Sequence, residues 1–129
     1  MEYRTLFRNL HRRPGLYGLD GSYAQFCVFI DGVDYGNDRG LLTGFREWLV
    51  LRAGKGDNLV WRALVLHLAF PGEAQPSREP SDGPEANEIA VDTLFALLDE
   101  FLGWREEPRK LIEVFDQYLT WRRAQSWYR

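Results

Sequence analysis

Cysteine occurs once in this 129-residue chain, histidine twice and methionine once. The lone Cys27 excludes an internal disulfide, and its isolation points to a reducing compartment. His11, His67 and Cys27 offer no pair at metal-ligand spacing, so the usual zinc sites are excluded and no metal or other cofactor is expected. Long apolar runs are missing too. The longest, Ala63 to Phe70, is interrupted by His67 and is far too short to span a bilayer. The stretch Met1 to Arg8 is charged throughout and has no apolar segment of the kind found in secretory signals. The expectation is a cytoplasmic protein without a membrane span.

The patterns that carry catalysis are absent as well. Gly54-Lys55-Gly56 lacks the spacing and the preceding strand of a phosphate-binding loop and reads as a helix-ending turn. Asp34 to Asp38 lacks the alternating oxygen ligands and the terminal Glu of a calcium loop. A Cys27–His67 pair has no third group to orient it, and Cys27 among Phe26, Val28 and Phe29 reads as a small buried hydrophobe. Paired carboxylates such as Asp31/Asp34 and Asp99/Glu100 are too common here to single out any one pair. The chain is therefore expected not to be an enzyme. His67, on an apolar helix, reads as a hydrogen-bonded core residue, and His11 as a surface one.

What is abundant is aromatic and acidic. Five Trp, six Tyr and eight Phe supply a core, with some left for a surface that meets a partner. Charge is unevenly spread: residues 70–107 carry two basic and ten acidic groups, whereas residues 1–13 and 108–129 are each net basic. The acidic third disfavours a nucleic-acid backbone and suits a basic protein partner. It also reads as a solvated helix face plus a mobile loop.

Periodicity predicts an all-α, single-domain chain of about six helices over residues 1–129. Tyr3, Leu6, Phe7 and Leu10 share one face of a first helix, ended by Pro14-Gly15. Ser22 with Gln25 three residues on forms a capping-box pattern ahead of Phe26, Cys27, Ile30 and Val33. Residues 26–35 also fit a hairpin through Asp31-Gly32, which leaves an α+β alternative. Leu41, Phe45, Trp48, Leu49 and Arg52 mark a third helix, and Asn58 is a candidate cap for a fourth, buried one. Four prolines in residues 71–84 predict a flexible loop over 72–83. A long helix begins at Pro84, and a last one at Pro108 with Leu111, Ile112, Phe115, Tyr118 and Leu119 facing inward and Val114 and Trp121 to one side.

The segment Arg12-Arg13-Pro14-Gly15-Leu16-Tyr17-Gly18 reads as a shaped turn, with Gly15 or Gly18 at positive φ and Tyr17 packed inward. The ATPase subunit of type II topoisomerases has a similar turn, but this chain is too short for that domain and lacks its nucleotide-binding motifs. The turn Arg13 to Tyr17, the stretches Phe29 to Gly32, Phe45 to Leu49 and Asn58 to Trp61, and the helix from Leu94 to Leu102 together resemble a group of small bacterial proteins that look like immunity proteins of toxin systems. The likeness covers roughly residues 12–105. It implies a protein that occludes a cognate toxin, a basic toxin domain being the partner suited to the acidic bias. The candidate contact residues are Asp34, Tyr35, Asp38 and Arg39 in one loop and Glu85, Glu88 and Asp92 at one helix start. An alternative is an interaction protein that self-associates through its C-terminal helix, with Trp121, Trp127 and Tyr128 as contacts.

Overall fold

Six helices, with no strand among the described residues, make up the computed structural model, which describes residues 2–72 and 83–128. They are α1 (Tyr3–Arg12), α2 (Tyr23–Gly36), α3 (Phe45–Ala53), α4 (Trp61–Ala69), α5 (Pro84–Trp104) and α6 (Pro108–Arg123). The all-α expectation holds. The hairpin alternative does not: Asp31-Gly32 lies inside α2. That helix starts on the predicted Ser22 cap, whose hydroxyl accepts from Gln25 N–H, and Asn87 of α5 supplies a second cap by accepting from Tyr23 N–H at 2.9 Å. With two N–H groups of its first turn satisfied and Phe26, Cys27 and Ile30 buried on one side, the helix outcompetes the turn. Of the expected flexible loop over 72–83, residues 73–82 lie outside the described residues.

Cross-links between elements fix their directions. Arg4 grips Asp99 through two hydrogen bonds (2.9 and 3.1 Å), while His11 at the other end of α1 meets Asp92, so α1 runs antiparallel to α5. Asn87 holds the start of α2, and Arg105, just past α5, donates to the carbonyls of Gly40 and Leu41 beyond the end of α2, so α2 and α5 are parallel. The helix α4 packs on α3 and α5, and α6 packs on α3.

The buried side chains form one cluster drawn from all six helices. At its centre the Phe45 ring lies 5.1 Å from Phe101, 5.8 Å from Trp61 and 6.1 Å from Trp48. Most of the aromatics thus fill the core, as bulky rings in a small domain should. Among the described residues no helix is long and apolar enough to cross a membrane.

Three local expectations need correction. Asn58 does not cap α4: it sits in a turn closed by Leu59 N–H to Gly56 carbonyl, and α4 begins only after Val60. The inward stripe of α6 is Leu111, Val114, Tyr118 and Trp121, with Val114 fully buried, while Ile112, Phe115 and Leu119 face out. Tyr17 does not pack inward but lies exposed, edge-on to Phe29 at 5.8 Å. The reversal is made by backbone: Gly18, not Gly15, takes φ +76°, and its N–H closes on Gly15 carbonyl.

Of the histidines, His11 lies at the surface as expected and His67 departs from expectation. His11 stacks on Phe95 at 4.5 Å with its rings nearly parallel. His67 is half-buried, and its Nδ1 is enclosed without a hydrogen-bond partner among the described residues. Burial, helped by the positive charge of Lys55, pushes the His67 pKa below its usual value. The folded state therefore resists the proton that the unfolded chain accepts near pH ~6.5. This contribution to stability is complete above that pH and is lost as the pH falls through the window down to the folded value. The expected result is a thermal midpoint that drops between pH 7 and 5 more steeply in the wild type than in His67→Leu. Equal slopes would remove His67 from the pH response.

Candidate functional site

The loop after α2 is built to hold an unfavourable backbone. Asp38 (φ 54°) and Arg39 (φ 61°) are consecutive left-handed residues and the only non-glycine residues at positive φ among those described. Each such residue costs on the order of 1 kcal/mol, so the surroundings must impose the shape. They do so from four sides. Asp34 Oδ1 accepts from Leu42 N–H at 2.8 Å across the loop, and Asp34 carbonyl accepts from Asn37 and Arg39 N–H. Asn37 donates to Val33 carbonyl (2.7 Å) and accepts from the Tyr3 hydroxyl (2.6 Å). Thr43 donates to Arg39 carbonyl (2.9 Å), and Arg105 clamps Gly40 and Leu41.

On this frame the Arg39 guanidinium lies 4.4 Å above the Tyr35 ring, which is 67% exposed. Tyr35, Asp38 and Arg39 are all on the surface. Asp34 is not: it is 6% exposed and spends its carboxylate on Leu42. It is thereby corrected from a contact residue to the anchor of the loop.

The second predicted surface is a stripe on α5. Glu85, Glu88 and Asp92 fall on one face, and Asp99 continues it two turns later. Helix α1 answers the later part: Arg4 and Arg8 pair with Asp99, and His11 with Asp92. The hydrogen bond from Arg4 and its charge hold the Asp99 carboxyl below the usual carboxylate range, against the opposing effect of partial burial. Glu85 and Glu88 form no ion pair among the described residues and are exposed beside Ile89. The open acidic patch is thus Glu85 and Glu88, with Asp92 partly answered by His11.

The two predicted surfaces are not brought together. The loop lies past the C-terminal end of α2, and Glu85 lies near its N-terminal end. Fourteen residues at 1.5 Å each separate them by roughly 20 Å.

Sequence reasoning missed a polar hub between α3, the turn after it, and α6. Arg46 donates to the carbonyls of Asp57 and Leu59, and Tyr118 donates its hydroxyl to Asp57. Arg122 lies 3.3 Å from the same carboxylate, close enough for an ion pair though not aligned as a hydrogen bond. Beside it the turn Gly54 to Asn58, with Trp121 and Trp127, lines an open cleft of about 350 Å³. Asp57 is committed to three partners, which makes the hub a clasp joining α6 to the body. Its signal was faint, since an Arg next to Glu47 and a Tyr 72 residues later share no local pattern.

Cys27 is buried, and burial pushes its thiol up to about 12, so it stays protonated and poorly nucleophilic. Comparisons with protein-family models, with curated proteins and with solved structures give no match.

Proposed function

We propose that this chain is an immunity-type binding protein that neutralises a cognate bacterial toxin by covering a surface the toxin needs. The observation that carries this reading is the loop from Asn37 to Gly44. A strained backbone held from four sides, with a stacked Tyr–Arg pair on its outer face, is a rigid anchor whose ordering cost is met before the partner arrives. Tyr and Arg, with Trp, are the residue types enriched among those that dominate binding energy. The open acidic patch at Glu85 and Glu88 supports a basic partner, which it would attract during encounter more than it would hold afterwards. The resemblance of the turn and helix segments to immunity proteins supports the same reading. We place the protein in the cytoplasm on the strength of its single, reduced thiol.

Two measurements test this. Co-expression with the neighbouring gene should rescue cells from a toxic product, and the two chains should co-purify. A harmless neighbour that forms no complex would overturn the proposal. Within the complex, Tyr35→Ala with Arg39→Ala should weaken binding by roughly 30-fold, or about 2 kcal/mol, mainly through faster dissociation. Glu85→Lys with Glu88→Lys should instead slow association and flatten its salt dependence.

A further inference from the structure

The outward face of α6 carries a second apolar stripe. Pro108, Ile112, Phe115 and Leu119 are all exposed, Ile112 at 72%, and recur at intervals of four, three and four residues. That is the spacing with which one helix meets another along a narrow seam. It is separate from the inner stripe of Leu111, Val114, Tyr118 and Trp121 that already packs on the body. Along one flank of the outer seam Arg109, Asp116 and Arg123 follow at seven-residue intervals, exposed and without ion pairs among the described residues.

The order of charges selects the occupant. We infer that α6 pairs with α6 of a second copy, antiparallel about a two-fold axis between Ile112 and Phe115. Ile112 of each copy then packs on Phe115 of the other, and Leu119 on Pro108. Equal flanks face one another in an antiparallel pair, so Arg109 of each copy lies opposite Asp116 of the other, and the complementarity is satisfied twice. A parallel pair would set this flank against the inner positions Leu111 and Tyr118 and leave both charges unanswered. The seam is one helix long, which places the contact at the low end of specific interfaces, below about 1,200 Å² in total. The dimer is therefore weak and concentration-dependent. Phe115 also borders Gly44, next to Thr43 and hence to the Arg39 loop, so pairing sits beside the proposed anchor rather than on it. The inference does not depend on a toxin partner.

Sedimentation equilibrium of the full chain tests it. The wild type should show a monomer–dimer equilibrium with a submillimolar dissociation constant. Ile112→Glu should be monomeric throughout with an unchanged thermal midpoint, because the site is exposed. Asp116→Arg should weaken the dimer about tenfold, and adding Arg109→Glu should restore it. A wild type that stays monomeric at millimolar concentration, a dimer that survives Ile112→Glu, or a double reversal that fails to restore pairing would each overturn the inference. Loss of toxin capture in Ile112→Glu without any wild-type dimer would assign the seam to a different protein and overturn it too.

Discussion

Gly44→Ala should destabilise the protein by about 3 kcal/mol, a fall in thermal midpoint on the order of 10 °C. Two costs combine. Gly44 caps α3 at φ +87°, where any side chain costs about 1–2 kcal/mol in backbone strain. An added Cβ would also lie 2.6 Å from Leu111 Cδ1 and 3.4 Å from Val114 Cγ1, so Leu111 must leave its rotamer, at about another 1 kcal/mol. The strain falls on the contact that seats α6. Amide exchange should therefore accelerate in α6 more than in α2. The comparison is Gly32→Ala, in the exposed interior of α2 with open space around it, which should stabilise by about 0.5–1 kcal/mol. Equal effects at the two glycines would refute the close approach of α3 and α6.

Helix existence was legible in the sequence because the signals were local. Ser22, Pro84 and Pro108 mark starts, Gly54 marks an end, and each acts within one turn of its own residue. What failed depended on distant chain. Asn58 had the chemistry of a cap, but the turn closed by Gly56 moved the helix start to Trp61. In α6 two apolar stripes compete, and periodicity cannot say which faces in. The choice was made by Gly44, whose missing side chain admits Leu111 and Val114. Ile112, Phe115 and Leu119, which periodicity alone places in the core, are left outside for the same reason.

The candidate site was legible in composition and not in geometry. A turn-rich stretch with Asp, Tyr and Arg marks a surface loop. Asp38 and Arg39 lie in it, whereas Asp34 and Tyr35 belong to the last turn of α2, and Tyr35, Asp38 and Arg39 are exposed. Nothing local reveals that Asp34 points inward, since its partner Leu42 lies eight residues on, beyond two left-handed residues. Nor does spacing along the chain show that Glu85 stands at the far end of α2 from that loop. That follows only from Asn87 and Arg105 gripping opposite ends of the α2 segment.

Asp34→Ala should cost about 2–3 kcal/mol of stability and, with it, most of the loop's binding capacity. The carboxylate is the acceptor for the buried Leu42 N–H, and removing it strands that donor at about 1–3 kcal/mol. The loss also frees the loop. Asp38 and Arg39 keep their left-handed angles only while the bridge from Asp34 to Leu42 holds the two ends of the turn together, and relaxation toward ordinary angles would carry Arg39 away from Tyr35. Asp34→Asn retains an oxygen that can accept the same bond, so it should recover most of the stability and most of the partner affinity. Urea melts of both variants, read beside their affinity for the captured partner, separate the two roles. If Asp34→Ala loses stability but binds its partner as the wild type does, the shape of the loop is irrelevant to recognition, and the anchor assigned to Tyr35 and Arg39 fails with it.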